Sequence, residues 1–112
     1  MKISPDGLHV SSEVEGEIIL TDALGTRNIT HSKARDIGAM WANNSRYLAY
    51  ASEVKDGFQI WVVDIVSGKA SCMTEGAGQK RPLKWNSDGD LVVSMGGSAL
   101  TIYAKEIEKR LR

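Results

Sequence analysis

Short runs of apolar and β-branched residues alternate with clusters of glycine, asparagine, aspartate and serine along the chain. In the clearest stretch this pattern predicts strands over 38–42, 46–53, 59–65 and 70–74. The turns between them contain Asn, Asp or Gly, which cap the backbone with their side chains or tolerate a positive φ. The pattern therefore predicts a unit of four antiparallel strands, and no helix of ordinary length before the C-terminal tail.

The same landmarks return at a nearly constant interval. Trp41 and Trp85 each precede a polar turn and a hydrophobic run, and they lie 44 residues apart. Asp22 and Asp64 each end an apolar run and lie 42 residues apart. Such a period indicates a repeat architecture. The chain is thus predicted to form one domain of three similar units, at approximately 1–35, 36–78 and 79–112.

The first and third units depart from the second. Ile3 stands where the other units have Trp41 and Trp85, so the opening strand of the first unit is shortened. The third unit has predicted strands over 82–85, 91–95 and 99–103. Two predictions stay open for 104–112. The repeat favours a strand there, whereas the i,i+4 pairs Ile107/Leu111 and Glu106/Arg110 favour a helix.

Several motifs carry a resemblance to a known family. They are Ser4-Pro5-Asp6-Gly7, Asp56-Gly57-Phe58-Gln59-Ile60-Trp61 and Trp85-Asn86-Ser87-Asp88-Gly89. These residues resemble the TolB-type, WD-like β-propeller repeat, and the best single comparison is with the propeller domains of tricorn protease. The resemblance covers nearly the whole chain. It implies an all-β fold of about three four-stranded antiparallel propeller blades.

Three blades are too few for a closed ring, because propellers usually close with about four to eight. Neighbouring blades bury each other's sheet faces. We therefore expect a broad apolar face at each end of the three-blade arc, larger than a monomer usually exposes. The simplest completion is self-association, with two copies forming a six-bladed ring.

Composition and charge restrict the partners. Fourteen basic and fourteen acidic residues give a formal net charge of zero, without the basic patch expected of a nucleic-acid binder. No apolar run approaches the length of a membrane span, about 18 residues. The single cysteine, Cys72, fits a reducing compartment. We expect a cytoplasmic protein that binds neither nucleic acid nor membrane.

Candidate chemistry is sparse. Cys72 with His9 or His31 is the one nucleophile and base combination, but Cys72 lies in a short apolar run typical of a buried thiol. The run Asn86–Asp90 lacks the ligand spacing of a calcium loop, and the histidines lack the spacing of a zinc site. We therefore expect no enzymatic activity, no metal and no cofactor.

The aromatic residues recur at matching positions in the units, which favours packing between blades over a ligand platform. They include Trp41, Trp61, Trp85, Tyr50 and Tyr103. If Trp41 and Trp85 are equivalent core anchors, alanine at either position should cost about 3 to 5 kcal/mol of stability.

Four basic residues precede the first strands of the second and third units at equivalent points. They are Lys33, Arg35, Lys80 and Arg81. On a shared rim near the channel they could bind an acidic peptide terminus or a partner surface, although solvated loop charges are the simpler interpretation. The resulting hypothesis is a non-catalytic module for protein or peptide binding. The alternative is an accessory propeller portion of a tricorn-like peptidase, which channels peptides to a catalytic domain absent from this chain.

Overall fold

The computed structural model describes residues 1–30 and 33–112. Three antiparallel sheets follow one another along the chain, and each sheet is built from strands in sequence order. Blade 1 consists of β1 (Lys2–Ile3), β2 (Val10–Val14), β3 (Glu17–Asp22) and β4 (Gly25–Asn28). Blade 2 consists of β5 (Asp36–Trp41), β6 (Tyr47–Val54), β7 (Gly57–Asp64) and β8 (Ala70–Cys72). Blade 3 consists of β9 (Lys80–Trp85), β10 (Leu91–Met95) and β11 (Ser98–Ile102). The all-β propeller-blade prediction is confirmed.

Blade 3 departs from the predicted four strands. After β11 the chain forms the helix α1 (Ala104–Arg110), so the helical alternative for the tail is correct. Ile107 and Leu111 are buried in the core between blades 2 and 3. The Asp90 carboxylate accepts the Ala104 amide at 2.8 Å, which satisfies a free donor at the start of the helix. Burial of one helix face thus overrides the strand suggested by the repeat.

Successive side chains along β6 and β7 point to opposite faces of blade 2, so the blade contributes to two separate hydrophobic cores. Leu48, Tyr50 and Val63 face blade 1, where they cluster with Ile18. The intervening side chains of β6 and β7 face blade 3, where they cluster with Trp85, Leu91 and Val93. The period of two along each strand therefore supplies both faces of the central blade.

The first turns of successive blades are also hydrogen-bonded to one another. The Asp6 amide in the blade 1 turn donates to Ser45 Oγ in the blade 2 turn at 2.9 Å. Asn43 Nδ2 in blade 2 donates to the Asn86 carbonyl oxygen in blade 3 at 3.4 Å. Polar contacts thus repeat at the same level of both blade interfaces and fix the stacking of the blades.

The two ends of the arc differ from each other. The leading face, the outer face of blade 1, exposes apolar side chains that include Ile3 and Val14. The trailing face is the outer face of blade 3, opposite the buried Leu91 and Val93. It carries Arg81, Lys84, Val92, Ser94, Ala99 and Thr101. The expectation of a broad apolar face at each end is therefore wrong for the trailing end, where polar residues replace the alanine and aliphatic residues of blade 2.

Candidate binding surface on the inner strands

The strands β1, β5 and β9 are the first strands of their blades. Tryptophan indoles link these strands across the blade interfaces. Trp85 Nε1 donates to the Met40 carbonyl oxygen at 2.9 Å, and Trp41 Nε1 donates to the Lys2 carbonyl oxygen at 3.3 Å. Each indole thus bonds the residue that precedes the tryptophan position in the previous blade. The 44-residue spacing of the tryptophans has this geometric basis.

A groove of about 480 Å³ lies along these three strands. Its lining includes Lys2, Ile3, Met40, Trp41, Leu83 and Lys84, and this surface is called the inner groove below. Ile3 and both lysine residues are exposed. The groove therefore combines an apolar and aromatic floor with positive charge from the first and third blades. Such a surface suits a ligand with apolar groups and negative charge.

A row of side chains supports Trp41 from the blade 1 side. The His9 ring stacks on the Trp41 ring with 5.8 Å between centroids. His9 Nδ1 lies 2.9 Å from Asp22 Oδ2, and Arg27 donates to both Asp22 oxygens. These hydrogen bonds from Arg27 hold the pKa of the Asp22 carboxyl well below its usual value, despite the opposing effect of burial. The Asp22 charge therefore persists and holds His9 against the indole.

The four predicted basic residues do not form one rim. Lys80 is buried, and its ammonium donates to the carbonyl oxygens of Phe58, Gly76 and Ala77. The prediction that Lys80 is available to a partner is therefore wrong, because this side chain ties the loop before β9 to blade 2. Lys33 and Arg35 are exposed ahead of β5, whereas Arg81 lies within β9 on the trailing face.

The candidate catalytic residues have other contacts. The Cys72 thiol is half-buried and donates to the Thr74 carbonyl oxygen at 3.2 Å. His9 contacts Asp22 and Trp41 in blade 1 and at its border with blade 2. His31 lies outside the described residues. The structure therefore assigns structural contacts to Cys72 and His9 and does not pair them.

The turn Asn86–Asp90 also has a structural explanation. The Asn86 amide donates to the Asp90 carbonyl oxygen and the Gly89 amide donates to the Asn86 carbonyl oxygen. The Asp90 carboxylate binds the start of α1. These bonds are those of a tight turn that also caps the helix.

Sequence reasoning missed the inner groove. A signal was available, because Lys2 and Lys84 each directly precede the position of the repeated tryptophan. Their proximity depends on the blade stacking, which places β1, β5 and β9 side by side. Spacing alone assigned the lysines to separate units.

The sheets and their stacking define an arc of consecutive β-propeller blades. No protein-family model matches the chain, and no curated protein matches it. Solved structures do match. The putative TolB from Agrobacterium tumefaciens superposes with a TM-score of 0.71 at 24% identity, over 93% of this chain and 42% of that chain. TolB from Acinetobacter baumannii superposes with a TM-score of 0.66 at 16% identity, over 88% of this chain and 27% of that chain.

These likenesses establish the propeller fold. The chain spans less than half the length of either TolB structure. Within residues 1–30 and 33–112, no helix is long and apolar enough to cross a membrane.

Proposed function

We propose that the chain is a non-catalytic β-propeller module that binds acidic, partly apolar segments of a protein or peptide in the inner groove. The observation that carries this proposal is the position of Lys2 and Lys84 beside the apolar lining of one groove. Charge supplies attraction and register, and the apolar floor supplies buried area. The cytoplasmic location belongs to this proposal as well.

A binding experiment tests the groove. The probes are two capped peptides with alternating leucine, one with aspartate and one with lysine at the intervening positions. The acidic peptide should bind, and Lys2→Glu or Lys84→Glu should lower its affinity at least fivefold. Lys69→Glu and Lys105→Glu are matched controls, because these exposed lysine residues lie outside the groove lining. Equal binding of both peptides, or equal losses in all four variants, would contradict the proposal.

Self-association into a ring of two arcs is the second part of the proposal. Head-to-tail stacking would place the leading face against the trailing face. Glu17 lies on the leading face next to the β2–β3 turn, and Arg81 lies on the trailing face opposite Ser94, near the β10–β11 turn. Their opposite charges therefore occur at the same level of the blade.

Sedimentation equilibrium tests the ring. The expected mass is twice the 12.2 kDa of one chain. Arg81→Glu should weaken the dimer by repulsion, and adding Glu17→Arg should restore it. A monomer at all concentrations, with cooperative unfolding, would exclude this self-association without affecting the groove.

The alternative function is an accessory propeller part of a tricorn-like peptidase. The resemblance of the repeat motifs to the propeller domains of tricorn protease is what supports it. A peptidase domain encoded in the same reading frame would support this alternative. Its absence from the parent gene would leave the independent binding module.

A further inference from the structure

The strand β11 presents an open sheet edge. Strands β3 and β7 each pair with a fourth strand as well as with the second strand of the blade. Among residues 1–30 and 33–112, β11 pairs with β10 alone. Residues Ser98 to Thr101 are all exposed. The helix α1 follows β11 but packs Ile107 and Leu111 into the core between blades 2 and 3. It therefore does not replace the missing backbone pairing of β11.

The register identifies the groups at this edge. A two-residue turn, Gly96-Gly97, joins β10 and β11, and Met95 pairs with Ser98. In an antiparallel hairpin, hydrogen-bonded pairs alternate with pairs whose amides and carbonyls point outward. The outward residues of β11 are therefore Ala99 and Thr101. In blade 2 the outward residue Ile60 accepts the Met73 amide and donates to Thr74 Oγ1, which shows how such an edge is normally satisfied.

A cavity of about 340 Å³ lies beside the same edge. Its lining includes Met73, Met95, Leu100 and Ile102 together with the charged residues Glu75 and Arg110. Leu100 is 49% exposed. Leu100 pairs with Val93 of β10, so both side chains lie on the same face of the sheet, and Val93 belongs to the core. A strand added to β11 would place the side chain opposite Leu100 over this cavity.

The charges beside the cavity define the ligand further. Arg110 is already bonded to Glu106 and to the Cys72 carbonyl oxygen. Glu75 is exposed and has no ion-pair partner among the described residues. Val63 and Ile102 occupy equivalent positions, because each pairs with the leucine that pairs with the blade's tryptophan. Gln59 and Ser98 lie four residues before them and are therefore at the same level. The Thr74 hydroxyl donates to Gln59 Oε1. Glu75 therefore lies at the Ser98 end of the edge, where a basic side chain of an added strand would meet it.

We propose that β11 binds an extended segment of a partner protein by strand addition, with an aliphatic residue opposite Leu100 and a basic residue two positions later, opposite Ser98. The added segment runs antiparallel to β11, as the fourth strands of blades 1 and 2 do. Main-chain hydrogen bonds to Ala99 and Thr101 supply affinity, and the cavity and Glu75 supply selectivity. This surface is separate from the inner groove.

The test uses the capped heptapeptide TTTITKT and an amide-resolved NMR titration of the whole chain. Saturable shifts are expected at the Ala99 and Thr101 amides. Thr101→Pro removes an outward amide, which an edge strand tolerates, and it should weaken binding at least tenfold with an unchanged melting temperature. Thr101→Val is the matched control and should bind within twofold of the parent chain.

A second variant keeps the test decisive if Thr101→Pro does not fold. Glu75→Lys should lower the affinity for TTTITKT at least threefold and raise the affinity for TTTITET. Unchanged affinities in these variants would overturn the proposal. So would saturable shifts confined to the inner groove, or edge shifts that depend on protein concentration without peptide, since the latter would assign the edge to a second copy.

Discussion

The ion pair between Arg46 and Asp64 makes the stability of blade 2 depend on pH. Arg46 donates to both Asp64 oxygens at 2.8 and 2.6 Å, and the carboxylate is buried. Burial raises the pKa of Asp64, but the bonds from Arg46 and from the Val66 and Ser67 amides outweigh it and lower the pKa to about 2. The folded pKa lies below the unfolded value of 3.8. The pair therefore stabilises the fold above about pH 4 and loses this effect towards pH 2.

Arg46→Met should accordingly lower the melting temperature at pH 7 and change it much less near pH 2. Melting curves recorded across this range measure the difference. Arg110→Met is the control, because the Arg110–Glu106 pair is exposed on both sides and should contribute little. A loss of equal size at both pH values would show that Arg46 acts through packing.

Asp36 has the opposite environment. It is fully buried, and neither carboxylate oxygen has a hydrogen-bond partner in the described part of the chain. A buried polar side chain without hydrogen bonds destabilises a fold. Asp36→Val should therefore raise the free energy of unfolding by about 1 kcal/mol, whereas Asp64→Val should lower it. Urea denaturation of both variants provides the comparison, and destabilisation by Asp36→Val would show that the carboxyl group is needed.

The two repeated tryptophans should not have equal effects. Trp85 is 9% exposed and belongs to the core between blades 2 and 3, whereas Trp41 packs at the edge of the smaller core. Trp85→Ala should cost about 3 to 5 kcal/mol. Trp41→Ala should cost less than half as much, because this ring already contacts solvent. Urea denaturation midpoints measure both effects, and equal losses would restore the equivalence expected from the repeat.

At the scale of the elements, a close contact fixes the β6–β7 turn against the loop before β9. A Cβ on Gly57 would overlap the Gly78 carbonyl oxygen. Gly57→Ala should therefore cost about 3 kcal/mol or more. Gly68→Ala is the matched control, since it shares a positive φ but has no atom within 4 Å of the added Cβ, and it should cost about 1 kcal/mol. Equal thermal shifts would mean that the loop moves aside.

Strands and turns were the features most accessible to sequence reasoning. Apolar and polar residues that alternate between Asx or glycine turns predict the bounds of β6, β7 and β10 to within a few residues. The tail was ambiguous because the Ile107/Leu111 spacing competed with the repeat, and only burial against blade 2 decides for the helix. Lys80 was misplaced for a related reason. A position before a strand does not reveal the carbonyl oxygens that surround its ammonium.

At the scale of the molecule, the three blades should not be equally stable. The core between blades 2 and 3 is extended by α1, through Ile107 and Leu111. The core between blades 1 and 2 is smaller among the described residues. In a repeat protein, stability is approximately the sum of the unit and interface contributions. Blade 1 should therefore open before the other two blades.

Native-state hydrogen exchange measures this order directly. Amides of β2 and β3 should exchange through openings of lower free energy than those of β6 and β7. Ile18→Ala should accelerate exchange in blade 1 alone, because Ile18 packs in the smaller core. Leu91→Ala should accelerate it in blades 2 and 3. Uniform protection across all three blades would instead indicate one cooperative unit, and would require that the ends of the arc be covered in solution.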